Sequence, residues 1–361
     1  MNMLEDKVLT VIIPSYNMET YLPTCLRSLV VDSEWMDKLD VVVVNDGSRD
    51  RTSEIAHEFE RKYPNTFRII DKPNGNYGSC INAALKGIKG KYVKVLDADD
   101  SLQNENLVAY LKFLEQCECE LVLSDYVEVD AKDIVTYEFK YDIPVDKVTN
   151  VVDLLRSYRY VPMHTIAYKS SILDNFVYHQ TEGVSYTDTQ WTILPMVRVK
   201  NVKYFPQKVY RYLVERSGRT MDQTIQIKNA WMYAKIGIET AEQYVRMRKE
   251  ISGEKRELMD ARVAALVAMP YRIQIFDNRM IAKQIDLDLY DERLLGFSNE
   301  FYDIVGRFAY KCGKYIKCYI VANWRRHSVC GYVRLQYYRV LMFLRNLCIK
   351  VVLWLKGSSC S

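Results

Sequence analysis

Lys91-Tyr92-Val93-Lys94-Val95-Leu96 runs straight into Asp97-Ala98-Asp99-Asp100. The first six residues read as a short buried strand and the acidic cluster as its polar end. Two earlier segments share this form. Val8 to Ile13 (VLTVII) ends at Pro14-Ser15-Tyr16-Asn17, and Asp40 to Val44 (DVVVV) stops at Asn45-Asp46-Gly47-Ser48, a strong turn signal. Helical spacing follows each strand: Leu22, Leu26 and Leu29 within 21–31, then Ser53 to Tyr63, then Ser79 to Lys86 after a glycine-punctuated loop at 74–78. Further strands are predicted around Phe67 to Ile70 and over Leu121 to Val129. This alternation over the first 125 residues predicts an α/β fold, a doubly wound, mostly parallel sheet with helices on both faces. In such sheets ligands bind beyond the carboxyl ends of the strands. One polar strand end is a turn; three on one edge predict a pocket.

The later chain is less regular. A helix near Val151 to Tyr158 and strands near Thr165 to Lys169 and Val202 to Tyr212 are predicted, and residues 224–300 are mostly helical in composition. The expected division is a catalytic domain over 1–220, a helical extension over 221–303 and a basic amphipathic region over 304–361.

Charge supports the last boundary. The net charge of +4 conceals an asymmetry. No acidic residue follows Asp303, whereas eleven of the 50 Lys and Arg do, leaving 39 to set against all 46 acidic residues. A basic tail on a net-acidic body points to an anionic surface as its partner. Between Tyr332 and Lys356, Arg334, Arg339, Arg345 and Lys350 interrupt apolar clusters, as in a helix lying in a membrane interface. The uncharged runs are far shorter than the roughly 20 residues a spanning helix needs. A helix packed on the rest of the protein with its cations snorkelling outward fits the same pattern. The tail is too apolar for a nucleic-acid arm, so no nucleic-acid partner is expected. Nine scattered cysteines lack zinc-site spacing and read as reduced thiols. Met1 to Lys7 is polar and Val8 to Ile13 too short for a signal core, so a cytoplasmic chain is expected, peripheral on the membrane's cytoplasmic face.

Taken alone, the acidic cluster is explained equally by a metal site and by a solvated turn capping a helix that starts near Gln103. Its neighbours decide between them. Val11-Ile12-Ile13-Pro14-Ser15-Tyr16-Asn17, Val43-Val44-Asn45-Asp46-Gly47-Ser48-Arg49-Asp50, Asn74 to Asn82 (NGNYGSCIN) and Leu96-Asp97-Ala98-Asp99-Asp100 stand in series. Together they resemble the family 2 glycosyltransferases with the GT-A fold, over roughly the first 220 residues. Each motif alone is weak, but four in order are specific.

The resemblance implies roles. Pro14, Tyr16 and Asn17, with Glu19 beside them, would line the base and ribose of a nucleotide. Asp46 would accept a hydrogen bond from the base, favouring uracil; its alternative is an Asx-turn ahead of Gly47. Asn76 and Gly78 would sit beside the nucleotide. Asp97, with Ala98, would contact ribose or sugar, and Asp99 would hold Mn²⁺ or Mg²⁺. Asp100 would support the cluster or cap a helix.

Inverting sugar transfer needs a stabilised leaving group and a base for the acceptor proton. The family's base lies in a short acidic motif before an aromatic residue. Here that segment is Ser185-Tyr186-Thr187-Asp188-Thr189-Gln190-Trp191, which implies Asp188 as base. Thr187 stands where the family usually has Glu, so acceptor contacts made by that Glu are missing. Asp188 also suits a helix N-cap, and Glu182 is the second-ranked base. Arg216 and Arg219 occupy a loop that in the family often closes over the diphosphate. His164 is a candidate for metal or acceptor contact, against a purely structural role. The expected activity is hexosyl transfer from a UDP-sugar to a saccharide or lipid-linked saccharide acceptor. A nucleotidyltransferase would want a glycine- and Lys/Arg-rich loop after the first strand, which 14–17 does not supply. A non-catalytic nucleotide-sugar binder would not need both Asp99 and Asp188.

Overall fold

The computed structural model describes residues 7–173, 178–214, 229–276, 285–312, 316–328, 330–331, 333–341 and 344. Two compact units result, one of residues 1–222 with 247–258 and one of 223–246 with 259–361. Residues 247–258 thus group with the first unit although they follow residues of the second in the chain.

In the first unit a ten-stranded sheet runs β3-β2-β1-β4-β9-β6-β10-β5, with β7 beside β6 and β8 beside β10. The strands are β1 (Leu9–Ser15), β2 (Leu39–Asn45), β3 (Phe67–Asp71), β4 (Tyr92–Val95), β5 (Ser101–Leu102), β6 (Leu121–Val129), β7 (Val135–Phe139), β8 (Thr149–Asn150), β9 (Ile166–Lys169) and β10 (Asn201–Leu213). Strands β3, β2, β1 and β4 are parallel. Every residue of β1, β2 and β4 is buried, as their uninterrupted apolar runs require. Beyond β4 the sheet is mixed, because β9 enters antiparallel to both β4 and β6. A four-residue apolar strand carries no mark of its direction, so sequence predicts its existence and not its sense.

Helices cover both faces, as expected. Leu9, Val11 and Ile13 pack in one core with Leu22, Cys25 and Leu26 of α1 (Leu22–Arg27), Ala56 of α3 (Thr52–Lys62) and Leu107, Leu111 and Leu114 of α5 (Asn104–Gln116); α2 (Ser33–Met36) adds Met36. The alternate residues Ile12, Val42 and Val44 are fully buried on the other face, where α4 (Asn76–Leu85) contacts β1 and β2. Two further helices, α6 (Val151–Ser157) and α7 (Asp188–Ile193), complete the unit before β10.

The two edges of the parallel strands differ in kind. At the amino ends, Thr10 Oγ1 donates to Asp40 Oδ2 at 2.8 Å and accepts the Gly90 N–H at 2.8 Å. Arg68 forks onto the same carboxylate at 2.7 and 3.1 Å. Strand order reverses at β1, with β2 on one side and β4 on the other, so a switch point opens at the carboxyl edge.

The second unit is mainly helical: α8 (Ala230–Met247) up to Arg246, α9 (Gly253–Val267) from Met259 on, α10 (Met269–Phe276), α11 (Leu287–Phe297), α12 (Asn299–Arg307) and α13 (Ile320–Arg325), with a two-stranded sheet of Tyr310–Cys312 and Ile316–Cys318. Asp291 of α11 gathers it, accepting from the Tyr271 hydroxyl, from the Tyr302 hydroxyl at 2.6 Å and from Arg325 Nε at 2.7 Å.

Asp40 is 2% exposed, so Asp40→Ala removes the acceptor of Thr10 Oγ1 and the carboxylate partner of Arg68, which keeps only the Gly87 carbonyl among the described residues. The expected loss is about 3 kcal/mol in a denaturant titration; a midpoint equal to wild type would show that the amino-edge network is dispensable.

Candidate active site

A cleft of about 570 Å³ opens at the switch point, within the range of small-molecule sites. It is walled by Pro14 and Ser15 at the end of β1, Tyr16 to Met18 after it, Asp46 after β2, Asn74 ahead of α4, Asn76, Tyr77 and Cys80 in its first turns, and Asp97 to Asp99 after β4. Tyr160, Met163, His164, Ser185 to Asp188, Tyr212 and Leu213 close it from the later chain. The three polar strand ends therefore share one pocket.

At the β1 end, Asn17 adopts a left-handed φ of 52°. Its Oδ1 accepts the Arg49 N–H at 2.9 Å, and its own N–H donates to Ser48 Oγ at 3.0 Å, which ties this turn to the one after β2. Tyr16 stays 43% exposed in the cleft. Glu19 is placed differently from the expectation. It is not on the cleft wall; its carboxylate accepts the Arg51 N–H at 3.1 Å and its N–H donates to Asp50 at 3.0 Å, so it braces the two turns from outside.

Asp46 is buried, with Lys72 Nζ at 2.5 Å and the Gly75 N–H at 2.9 Å on one carboxylate oxygen. The side-chain oxygen that closes this turn belongs instead to Asn45, whose Oδ1 accepts the Ser48 N–H at 3.1 Å. Lys72 escaped the sequence reading because one lysine after a strand carries no pattern. Gly78 is also corrected: it lies inside α4, off the cleft wall, where an added Cβ would stand 2.3 Å from the Thr181 carbonyl. Its role is close helix packing. Asn76, at φ 63°, does line the cleft.

That close approach positions Asp188. Asn82 of α4 exchanges hydrogen bonds with the backbone of Gln180, at 2.8 and 2.9 Å. Gln190 Oε1 accepts the Thr181 N–H at 2.8 Å, and Thr187 Oγ1 donates to Gln180 Oε1 at 2.9 Å. Asp188 then opens α7 as its first residue; Thr187, not Asp188, is the N-cap and makes no side-chain cap bond. Desolvation raises the Asp188 carboxyl above the ordinary aspartate range, opposed in part by the Thr189 N–H and its own N–H. Glu182 is exposed, off the cleft wall, and accepts from Asn82 Nδ2 at 2.9 Å.

At the β4 end, Asp97 Oδ1 accepts the Tyr77 hydroxyl at 2.7 Å. Asp100 points away from solvent: the Tyr210 hydroxyl donates to it at 2.6 Å and the Leu213 N–H at 2.7 Å. The same Tyr210 oxygen accepts the Asp97 N–H at 3.2 Å. Asp100 is thus a clamp between β4 and β10 and not a helix cap. Burial, and then the charges of Asp99 and Asp97, push its carboxyl well above the usual range. Tyr210 and Tyr212 share one face of β10, an alternation visible in the sequence as Tyr210-Arg211-Tyr212.

His164 stacks on Tyr212 with centroids 4.5 Å apart, and its Nδ1 is buried without a hydrogen-bond partner. Burial, then the nearby Lys94, lowers it to about 3, so the ring is neutral. Donor atoms of Asp97, Asp100 and His164 lie within 4.8 Å of one another. An orphan imidazole nitrogen beside two carboxylates fits a divalent cation of hard or borderline character. Asp99 lines the cleft but stands outside that cluster. Arg216 and Arg219 lie outside the described residues.

A polar cleft at a sheet switch point, with acidic strand ends facing a carboxylate on a helix start, defines a class. The Glycosyl transferase family 2 model matches residues 10–192, just over half of the chain, and the chain belongs to that family. It is similar to the poly(ribitol-phosphate) β-N-acetylglucosaminyltransferase TarS of Staphylococcus aureus, 28% identical over 214 residues, 59% of this chain and 36% of that protein. It is also similar to the poly(ribitol-phosphate) β-glucosyltransferase of Bacillus spizizenii, 26% identical over 215 residues, 59% of this chain and 33% of that one. The chain thus spans only about a third of the length of these curated relatives. The crystal structure of S. aureus TarS 1–349 with UDP-GlcNAc shares the fold, with a TM-score of 0.61 and 18% identity, covering 93% of this chain and 90% of that one.

Tyr210→Phe keeps the ring and deletes the hydroxyl that joins Asp97 to Asp100. Leaving a buried carboxylate short of a donor costs about 1–3 kcal/mol, read as a lowered thermal midpoint. An unchanged midpoint would remove Tyr210 from the clamp.

Proposed function

We propose that this protein is an inverting glycosyltransferase that moves a hexose from a UDP-sugar to a saccharide or lipid-linked saccharide acceptor. The observation that carries the reading is the shared cleft: the Asp97–Asp99 strand end and Asp188 face one cavity from different elements. Pro14, Tyr16 and Asn17 hold base and ribose, with Asp46 accepting the imide N–H of uracil. Lys72, already bound to Asp46, fixes that carboxylate in place. Asn76 lies beside the nucleotide, and Asp97 with Ala98 faces the ribose or sugar. Family membership supports this assignment, as does the UDP-GlcNAc bound by the TarS structure of like fold.

Asp99 is the carboxylate we assign to Mn²⁺ or Mg²⁺, with Asp97 and His164 as adjoining donors. When bound, such an ion neutralises charge that builds on the departing diphosphate. Arg216 and Arg219 are assigned to the same diphosphate. Asp188 takes the acceptor hydroxyl proton on the side away from the leaving group. Desolvation keeps this carboxylate basic: it is raised above the usual aspartate range and so better matched to proton removal near neutral pH. Thr187, in the place of the family's Glu, leaves the base itself intact. The acceptor is met at the cytoplasmic face of a membrane, with the basic C-terminal region making peripheral contact.

UDP release from a panel of UDP-hexoses with Mn²⁺ and a saccharide acceptor tests the reaction. Asp188→Asn should lose about 10²- to 10⁴-fold; wild-type release by this variant would refute the base. Because the base must be ionised and its pKa is raised, kcat/KM should fall as pH drops through a value above the usual aspartate pKa of about 3.9. A profile flat down to that value would contradict the assignment. Chelation should abolish release and added Mn²⁺ restore it, whereas Asp99→Ala should stay inactive at the same Mn²⁺ concentration; full activity of Asp99→Ala would move the cation elsewhere.

A further inference from the structure

The second unit presents an amphipathic helix with two apolar sides. Residues 333–341 are helical, as are 330, 331 and 344. Leu335 and Tyr338 are buried, so one side of the helix is covered. The opposite side is open: Val333, Tyr337, Val340 and Leu344 are 59, 55, 56 and 48% exposed. At about 100° per residue these four fall within an arc of about 60°. Arg334 and Arg339 lie to either side of that arc, about 100° and 120° from its first residue.

Spacing at i, i+4, i+7 and i+11 is what a helix uses to bury a stripe, yet nothing in the described unit covers this one. Charge narrows the choice of what does. Residues 304–361 hold eleven Lys and Arg and no acidic residue. A second copy of the same helix would bring like charges together. A nucleic acid or other polyanion would pair with the arginines but gain nothing from Val, Tyr, Val and Leu. An anionic bilayer satisfies both features, taking the apolar stripe below the headgroups while the arginines meet lipid phosphates. Among the described residues no helix is long and apolar enough to cross a membrane, which fits a helix lying on the surface.

We propose that Val333, Tyr337, Val340 and Leu344, flanked by Arg334 and Arg339, form the membrane-seating face of this protein, selective for anionic lipid. The assignment rests on the membrane contact proposed above and gives it residues and a lipid class.

The test is flotation of the full chain with vesicles of phosphatidylcholine alone or with about a third phosphatidylglycerol. Binding should be confined to the anionic vesicles. Val333→Ser/Tyr337→Ser/Val340→Ser should bind at least tenfold more weakly, with an unchanged thermal midpoint because the altered side chains are exposed. Arg334→Gln/Arg339→Gln should lose binding to a similar degree, and high salt should weaken the wild type. Four results would overturn the proposal: no flotation of wild type, equal binding to both vesicle types, undiminished binding by the serine variant, or a fall in solution mass for that variant, which would assign the stripe to self-association. Binding of the wild type to single- or double-stranded DNA that survives the serine changes would assign the tail to a polyanion and overturn it as well. UDP release measured without vesicles is read separately: it should match wild type in the serine variant. Flotation without UDP release would count against sugar transfer and leave the membrane face standing.

Discussion

A buried carboxylate is expensive unless donors surround it, and the Asp100 side chain is that constraint here. Its partners come from β10: the Tyr210 hydroxyl at 2.6 Å and the Leu213 N–H at 2.7 Å. Strand β10 also pairs with β6, so the second half of the sheet fixes the acidic end of the first. The Tyr210 oxygen accepts the Asp97 N–H at 3.2 Å, which sets the backbone from which Asp97 and Asp99 project. Two residues on, Tyr212 lines the cleft and stacks on His164. One strand thereby holds the acidic strand-end side of the cleft.

Beneath it lies Lys94, fully buried on β4. It donates to the His164 carbonyl at 2.5 Å and the Ile166 carbonyl at 3.3 Å, and lies 5.5 Å from the Tyr210 ring centroid. Burial lowers its pKa to about 7. The lysine pins the turn that leads into β9, which explains how an antiparallel strand can stand beside β4 and still deliver Met163 and His164 to the cleft. The Asp188 side is built by different means. No sheet strand carries Asp188. Instead α4 comes close enough at Gly78 for its far side to hold residues 180–183, and the segment ending at Asp188 hangs from Gln180 and Thr181.

Much of this was legible in the chain because it is local. Continuous β-branched runs stopped by polar residues mark buried parallel strands, and three such stops on neighbouring strands mark a pocket. Nine of the residues that the strand ends and the family resemblance single out, Pro14, Tyr16, Asn17, Asp46, Asn76, Asp97, Ala98, Asp99 and Asp188, meet in one cleft. Glu19 and Gly78 share the same motifs but serve bracing and packing, since a motif records proximity in sequence and not the direction of a side chain.

The sequence by itself determined the parallel half of the sheet, the acidic strand end and the uneven charge, since periodicity and composition are properties of short segments. The tertiary structure alone decided that β9 runs antiparallel, that Lys72 neutralises Asp46, and that Asp100 is clamped by a tyrosine 110 residues away. It also left Val333, Tyr337, Val340 and Leu344 uncovered while burying Leu335 and Tyr338 on the same helix. Each of these depends on which distant surfaces meet, and an apolar or charged side chain carries no record of its partner until the chain has packed.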